Sequence, residues 1–223
     1  MTKNENKTIL FSYLKNQLKR GYSPIVLFVG KQRVGKTAMA LKFAYDLNPD
    51  FDLDKDLFFE VEKFAHAVYE SNQRVLVLDE AGIELDPELH QSVAQRVYSH
   101  IVQSQAYKQN IVFICLPFAS EIGKAHRKHV HAVAWVVAHG VYKLYSSSSW
   151  AASMSNVPPR LMHLETISDV PLPPAHIWEK YKTSHQHAFK QKILETEIAK
   201  INAKRERDKF VKRYAKSAVA GQQ

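Results

Sequence analysis

The chain lacks most of what an exported or membrane-spanning protein would need. Among its 223 residues only Cys115 is a cysteine, so no disulfide can form within the chain. Cys115 lies in the apolar run 111–116, where a buried and unreactive thiol is expected. The N-terminus has no apolar signal core, and no apolar run approaches the roughly 20 residues that cross a bilayer. We therefore expect a cytoplasmic protein without a membrane span.

Positive charge is unevenly distributed and is concentrated near the C-terminus. Residues 178–223 contain twelve Lys or Arg and five Asp or Glu, a balance of +7, whereas the preceding 177 residues have a balance of only +2. Such asymmetry predicts a polyanionic partner, with nucleic acid favoured over an anionic membrane because this tail lacks a strongly apolar face. A simply solvated basic face is the alternative. The candidate phosphate contacts are Lys204, Arg205, Arg207, Lys209, Lys212 and Arg213.

The most informative stretch is the phosphate-binding loop motif at residues 30–37, which follows the apolar run 25–29. It fits G-x-x-x-x-G-K-[ST], in which the glycines let successive backbone N–H groups turn toward phosphate oxygens. Lys36 is expected to reach the β- and γ-phosphates, and Thr37 to ligate Mg²⁺. The predicted nucleotide-binding residues are Gly30, Lys31, Gln32, Arg33, Val34, Gly35, Lys36 and Thr37.

Strands and helices alternate along the first part of the chain, which predicts an α/β fold with a mostly parallel sheet flanked by helices. Residues 7–20 have the spacing of a covering helix. Apolar runs at 25–29, 57–59, 75–78 and 111–116 predict strands, the acidic stretch 50–56 predicts a loop, and 132–138 with 141–145 predict two strands around a tight turn. We expect a core over 1–147, a proline-rich connection over 148–176 and a basic helical tail over 177–223.

The acidic pair Asp79-Glu80 follows the apolar run 75–78. At the end of a buried strand, Asp79 can hold the metal, while Glu80 points to a different side and can polarise a water for in-line attack on the γ-phosphate. An additional strand and helix are predicted between the phosphate loop and this pair. Together with the additional strand, this division of roles between two carboxylates resembles the P-loop ATPases that have an additional catalytic glutamate. Two acidic residues that merely cap the next segment are the simpler interpretation.

Two other nucleotide enzymes fit less well. Residues 79–82 also match the D-x-x-G element of GTPases, but no [NT]-K-x-D guanine-recognition motif follows, so ATP is favoured over GTP. A nucleotide kinase needs a lid rich in arginines, whereas only Arg96 and Arg127 occur between residues 82 and 140.

Arg127 lies in a basic segment before the predicted fifth strand, a region that faces the neighbouring nucleotide in oligomeric motors. An arginine delivered there would neutralise charge on the γ-phosphate; a solvated basic loop is the alternative. The nearby His126, His129 and His131 lack a Cys or carboxylate companion at metal-ligand spacing. We expect these histidines to be solvated or to contact phosphate.

The order of GKQRVGKT, LFFEVEKF, VLVLDEAGIELD and IVFICLP, followed by IGKAHRKHVHAVAW, resembles P-loop ATPases of archaeal viruses and plasmids, related to the FtsK–HerA and Zot-like class. The resemblance implies a RecA-like fold, ATP hydrolysis with Mg²⁺, oligomerisation and DNA pumping, in the host cytoplasm if the chain is viral. It implies roles for Lys36 and Thr37 with nucleotide and metal, Asp79 with metal, Glu80 in catalysis and Arg127 as an arginine acting in trans.

One position departs from that class. Many FtsK–HerA members end the fourth strand with a glutamine that senses the γ-phosphate, whereas this chain has Cys115-Leu116-Pro117 there. Either another polar group, such as Ser120, takes this role, or the coupling differs.

The leading hypothesis is a DNA-dependent ATPase that works as a ring or another homo-oligomer on duplex DNA, in translocation or packaging. One alternative is a nucleotide-dependent assembly or scaffold protein whose basic helix binds a protein partner. Another is an AAA+ replication initiator or loader, for which 150–176 is short as a helical lid domain.

Overall fold

In the computed structural model the described residues are 8–79, 108–118, 129–146 and 162–187, with scattered residues between 191 and 207. The chain divides into two compact units, Met1–Trp178 and Glu179–Gln223. Within the described residues, no helix is both long and apolar enough to cross a membrane.

The first unit begins with α1 (Ile9–Lys19), β1 (Ile25–Val29), α2 (Lys36–Leu47), α3 (Leu53–Asp56), β2 (Leu57–Phe58), α4 (Val61–Glu70) and β3 (Val75–Leu78). The later elements are β4 (Ile111–Leu116), β5 (Ala132–Ala138), β6 (Val141–Ser146), β7 (Met162–Ile167) and α5 (Ala175–Lys180), which is followed by a π-helical turn at Tyr181–His185.

The seven strands form one sheet in the order β2-β3-β4-β1-β5-β6-β7. All pairings from β2 to β5 are parallel, and the pairings of β5 with β6 and of β6 with β7 are antiparallel. The predicted α/β fold with a mostly parallel sheet flanked by helices is therefore confirmed. In space, β4 separates the strand of the phosphate loop from the strand that leads to Asp79.

The parallel strands are apolar because helices cover both faces. On one face Val61, Phe64 and Val68 of α4 pack against strand residues that include Leu27 and Leu76. On the opposite face the ring of Phe43 in α2 lies 6.1 Å from the ring of Phe28 and 5.7 Å from that of Tyr142. Residues 27 and 28 point to opposite faces because side chains alternate along a strand.

The sequence predicted a loop over the acidic stretch 50–56, but only part of this stretch is loop. Its second half forms α3, in which Asp52 caps the helix and accepts a hydrogen bond from the N–H of Asp54 at 3.1 Å. Asp56 is fully buried, and Nη2 of Arg74 lies 2.7 and 2.8 Å from its two carboxylate oxygens. Burial without a charge partner would be costly, so Arg74 makes this position possible for an acid.

The sheet continues beyond residue 147, where the sequence placed the end of the core. β7 lies within the expected connection 148–176 and pairs with β6. Its Glu165 accepts hydrogen bonds from the backbone N–H groups of Ile9 at 3.2 Å and Leu10 at 3.3 Å, at the start of α1. The predicted covering helix is thus attached to the last strand of the sheet.

Apolar residues at helical spacing also predict a helix over 88–108, which lies almost wholly outside the described residues. In the second unit, the described residues from 191 to 207 have helical backbone. A continuous helix to about residue 218 remains a prediction.

Candidate functional site

The predicted phosphate loop connects β1 to α2 and has three positions with positive φ, of which Gly30 has φ +153°. Gly35, the residue before α2, has φ +96°, and Arg33 has φ +64°. Gly35 offers no side chain to the first N–H groups of α2, which therefore stay available to phosphate oxygens. Gly30 is needed for a different reason, since a Cβ there would overlap the carbonyl oxygen of Val136 in β5.

The ammonium group of Lys36 lies over this loop. Its Nζ donates to the carbonyl oxygens of Gly30 and Lys31, both at 2.9 Å. The side chain therefore turns back from the start of α2 toward the first residues of the loop. This places a positive charge beside the N–H groups at the start of α2.

Thr37 and Asp79 are brought together across the sheet. The hydroxyl Oγ1 of Thr37 donates to the carboxylate of Asp79, 2.9 Å from Oδ1 and 3.0 Å from Oδ2. Asp79 is only 1% exposed. The sequence assigned both residues to one metal site, although 41 residues separate them, and the structure brings their oxygens together.

The position of Asp79 follows from β3. That strand is a run of four buried residues, and its neighbour β2 fixes the exit of the chain because the N–H of Asp79 donates to the carbonyl of Phe58 at 2.8 Å. The carboxyl ends of β1 and β3 meet at the same edge of the sheet, since both strands run parallel to β4 between them. Ligand sites of open parallel sheets lie at this edge.

The residues present fit Mg²⁺. A threonine hydroxyl and an aspartate carboxylate are hard oxygen ligands, and Mg²⁺ is usually bound through one or two such groups together with substrate phosphates. Three or more His, Cys, Asp or Glu residues do not come together as a metal site within the described ranges.

His131 makes a structural contact that the sequence did not predict. The residue is half-buried. Its imidazole Nδ1 accepts a hydrogen bond from the backbone N–H of Ile25 at 3.1 Å, and its backbone N–H donates to the carbonyl of Ile25 at 2.9 Å. Burial lowers the pKa of the imidazole, and the nearby His129 lowers it further. His131 therefore connects the start of β1 to the segment before β5.

The structure also brings residues to the loop that the sequence interpretation missed. They are Val136, which limits the space at Gly30, and His139, whose ring lies beside Gly35. His139 and Gly140 form the turn between β5 and β6. The sequence did indicate a tight turn at His139 directly after a predicted strand. It could not show that this strand, β5, lies next to β1 and so brings the turn to the phosphate loop.

Other predicted site residues cannot be placed against the loop. Glu80, Arg127, Lys209, Lys212 and Arg213 lie outside the described residues, as do Ser120 and His126. Lys204, Arg205 and Arg207 belong to the second unit, and all three are exposed on helical backbone. Their roles remain predictions.

No protein-family model and no curated protein matches the sequence. Several solved structures are similar at low identity. One is the N-terminal domain of zonular occludens toxin from Neisseria meningitidis, with 14% identity and a TM-score of 0.40 over 65% of this chain and 95% of that one. Another is the genome packaging NTPase B204 of Sulfolobus turreted icosahedral virus 2, in complex with AMP, with 10% identity and a TM-score of 0.43 over 67% and 99% of the two chains.

The FIGL-1 AAA domain is also similar, with 14% identity and a TM-score of 0.37 over 56% of this chain and 51% of that one. The similar structures thus include a Zot domain and a viral packaging NTPase, the two kinds of protein that the motifs resemble. At these identities and scores, they assign no function to this chain.

Proposed function

We propose that the protein is an Mg²⁺-dependent ATP hydrolase that acts on duplex DNA as a homo-oligomer, as a translocating or packaging motor of a virus or plasmid. The observation that carries the hydrolase part is the contact between Thr37 Oγ1 and the Asp79 carboxylate at 2.9 and 3.0 Å, directly beside the phosphate loop. A glycine-rich turn without a ligand has no need for a buried carboxylate in this place.

Each residue at the loop has a defined task in this proposal. The N–H groups at the start of α2 bind phosphate oxygens, and Lys36 exchanges its two carbonyl partners for the β- and γ-phosphates. Thr37 and Asp79 would hold Mg²⁺, which neutralises charge that develops between the β- and γ-phosphates. Glu80, the next residue after Asp79, would take the proton of the attacking water. Arg127 would come from the neighbouring subunit and stabilise the transferred phosphoryl group.

The DNA part of the proposal depends on the basic second unit. Lys204, Arg205 and Arg207 are exposed, as residues that contact the phosphate backbone must be. Binding of this kind releases counterions, so the logarithm of affinity falls linearly with the logarithm of salt concentration.

A nucleotide-dependent scaffold is the second candidate, and one observation favours it. Leu194, Ile198 and Ile201 follow each other at spacings of four and three residues and are 61%, 48% and 50% exposed. Such a stripe is typical of a helix that pairs with another helix. In this case the nucleotide would control assembly, and DNA would leave the turnover of ATP unchanged.

The decisive experiment measures ATP turnover with and without duplex DNA. We expect DNA to stimulate turnover, and Lys36→Ala, Asp79→Asn and Glu80→Gln each to lower the stimulated rate by about 100-fold or more, because each removes charge stabilisation or the base. The controls are Lys63→Ala and Glu62→Gln, which change exposed side chains of α4. Turnover that survives Glu80→Gln would remove the assigned base, and turnover that ignores DNA would favour the scaffold.

A second experiment addresses the tail. The slope of log affinity against log salt for a duplex should decrease by about 0.9 for each phosphate contact that is lost, hence by about 3 in a variant with Lys204, Arg205 and Arg207 all changed to Gln. Changing Lys15, Lys55 and Lys63 to Gln removes the same charge from the first unit and should leave the slope unchanged. Equal effects of both triple variants would indicate nonspecific attraction by net charge.

A further inference from the structure

Both glycines of the phosphate loop lie against the end of β5 and the turn that follows it. The space beside Gly30 is limited by the carbonyl oxygen of Val136. The space beside Gly35 is limited by His139, since a Cβ on Gly35 would lie 2.9 Å from Nδ1 and 3.6 Å from Cε1 of the imidazole. The first contact involves backbone, whereas the second involves a side chain that can be changed.

The turn that carries His139 is itself held in place. Its Gly140 carbonyl accepts a hydrogen bond from the N–H of Val170 at 3.0 Å, in the segment that follows β7. The strands on either side of the turn are paired with each other, and β5 is also paired with β1. The imidazole is therefore attached to a rigid support on the side of the loop where β5 ends.

The loop needs such a support. Gly35 and Arg33 both have positive φ, and Gly35 makes no side-chain hydrogen bond that would fix the start of α2. Backbone in sparsely populated regions keeps its conformation only where the surrounding structure determines it. At Gly35 the residue that supplies this constraint is His139.

We propose that His139 is a positioning residue for the phosphate loop, and that its imidazole holds Gly35 and the first N–H groups of α2 in the conformation that binds the phosphates of a nucleotide. The identity of the ligand rests on the proposed function, whereas the contact between His139 and Gly35 does not. His139 touches the loop rather than the reacting atoms. It therefore acts on nucleotide binding more than on the chemical step.

A first test separates binding from chemistry. His139→Ala should raise the KM for MgATP about tenfold and leave kcat within about twofold, as expected when an interaction common to the ground state and the transition state is removed. His139→Asn should retain most of the affinity, because its amide nitrogen can take the position of Nδ1 and Asn-Gly suits a tight turn. A fall in kcat with unchanged KM for His139→Ala would overturn the proposal.

The sharper test uses compensation and a fluorescent N-methylanthraniloyl ATP as the probe. Gly35→Ala should weaken its binding at least 50-fold, because the new methyl group collides with His139 in addition to the positive φ. His139→Gly should weaken binding about tenfold in the otherwise unaltered chain, as His139→Ala does, but should cost little further in the Gly35→Ala chain, because there the relief of the collision offsets the lost support. The matched control is Gly30→Ala, in which the full cost of His139→Gly should remain because a Cβ on Gly30 meets a backbone oxygen.

A cost of His139→Gly that disappears in the Gly35→Ala chain but not in the Gly30→Ala chain supports the proposal, and a cost that disappears in both chains or in neither overturns it. Thermal unfolding of the unaltered protein, Gly35→Ala, His139→Gly and their double variant gives a readout without nucleotide. The decrease in melting temperature of the Gly35→Ala, His139→Gly double variant should be smaller than the sum of the decreases in the two single variants. Additive decreases would contradict the contact. A chain that hydrolyses no ATP would refute the proposed function, while this unfolding cycle would still decide the role of His139.

Discussion

The two halves of the sheet differ in what fixes their strands. In the parallel half every residue of β1, β3 and β4 is buried, so position is determined by apolar packing on both faces. In the antiparallel half Trp135 and Val137 of β5 are exposed, and polar contacts such as those of Glu165 connect the strands to α1. The first half brings Thr37 and Asp79 together at its carboxyl edge, and the second half attaches the covering helix and places His139 beside Gly35.

Among the buried polar residues of the parallel half, Asp56 is the one whose removal should have the largest effect on stability. Asp56→Ala removes the acceptor of both the Arg74 guanidinium and the backbone N–H of Asp52 and should lower the free energy of unfolding by about 3 kcal/mol, because hydrogen bonds to a charged group contribute about 1.5 to 3 kcal/mol. Urea denaturation measures this change. Asp54→Ala, an exposed position in the same short helix, should cost much less. Equal losses for the two variants would mean that apolar packing alone fixes α3 and β2.

A smaller effect is expected where the antiparallel half holds α1. Glu165→Ala removes the acceptor for the N–H groups of Ile9 and Leu10 and should lower the free energy of unfolding by about 1 to 2 kcal/mol, the usual cost of a lost helix cap. Glu165→Gln keeps an acceptor oxygen and should retain most of the stability. Urea denaturation again provides the measurement. If Glu165→Ala matched the unaltered protein, α1 would be held by its buried Leu10 and Leu14 alone.

The smallest effect concerns His131, at the boundary between the two halves. Because its pKa is lowered in the folded protein, the unfolded chain takes up a proton more readily. This contribution to stability is present above the ordinary histidine pKa of about 6.5 and is lost as the pH falls from there toward the lowered folded value. Burial is the main cause of the lowered pKa, the charge of His129 lowers the pKa further, and a hydrogen bond with the backbone of His129 opposes the shift. The hydroxyl of Tyr13 donates to the backbone carbonyl of His131 at 3.4 Å.

The measurement compares the free energy of unfolding at pH 7.5 and pH 5.0. His131→Asn, whose amide oxygen can accept from Ile25 without titrating, should reduce the difference between the two conditions by about 1 kcal/mol or less, the value of one hydrogen bond. The exposed His66→Asn serves as the control. An unchanged pH dependence in His131→Asn would show that the bond from Ile25 does not limit protonation.

Local signals were enough to predict the parallel half. Apolar runs predicted β1, β3 and β4, and the loop motif with Asp79 predicted a site at their ends, because both signals lie within a few consecutive residues. The strand order was not visible, since the placement of β4 between β1 and β3 depends on packing of distant segments.

The remaining features depend on pairs of residues far apart in sequence. The acidic stretch gave no sign of α3, because Arg74, which permits the burial of Asp56, comes 18 residues later. The sequence interpretation grouped His131 with the nearby His126 and His129, whereas its hydrogen-bond partner is Ile25. His139 was overlooked for the same reason, since only the pairing of β5 with β1 brings it to Gly35.

The position of β4 in the middle of the sheet has a consequence during protein synthesis. Ile25 of β1 pairs with Val112, and Val75 of β3 pairs with Ile111. Both strands can therefore complete their pairing only after β4 has been synthesised. Until β4 has left the ribosome, β1 has no strand to pair with on the side that faces β3. Thr37, which follows β1, is then not held next to Asp79, which follows β3. Folding that depends on such distant pairings is slow. The nascent chain therefore completes its phosphate site late, after the loop motif itself has long been synthesised.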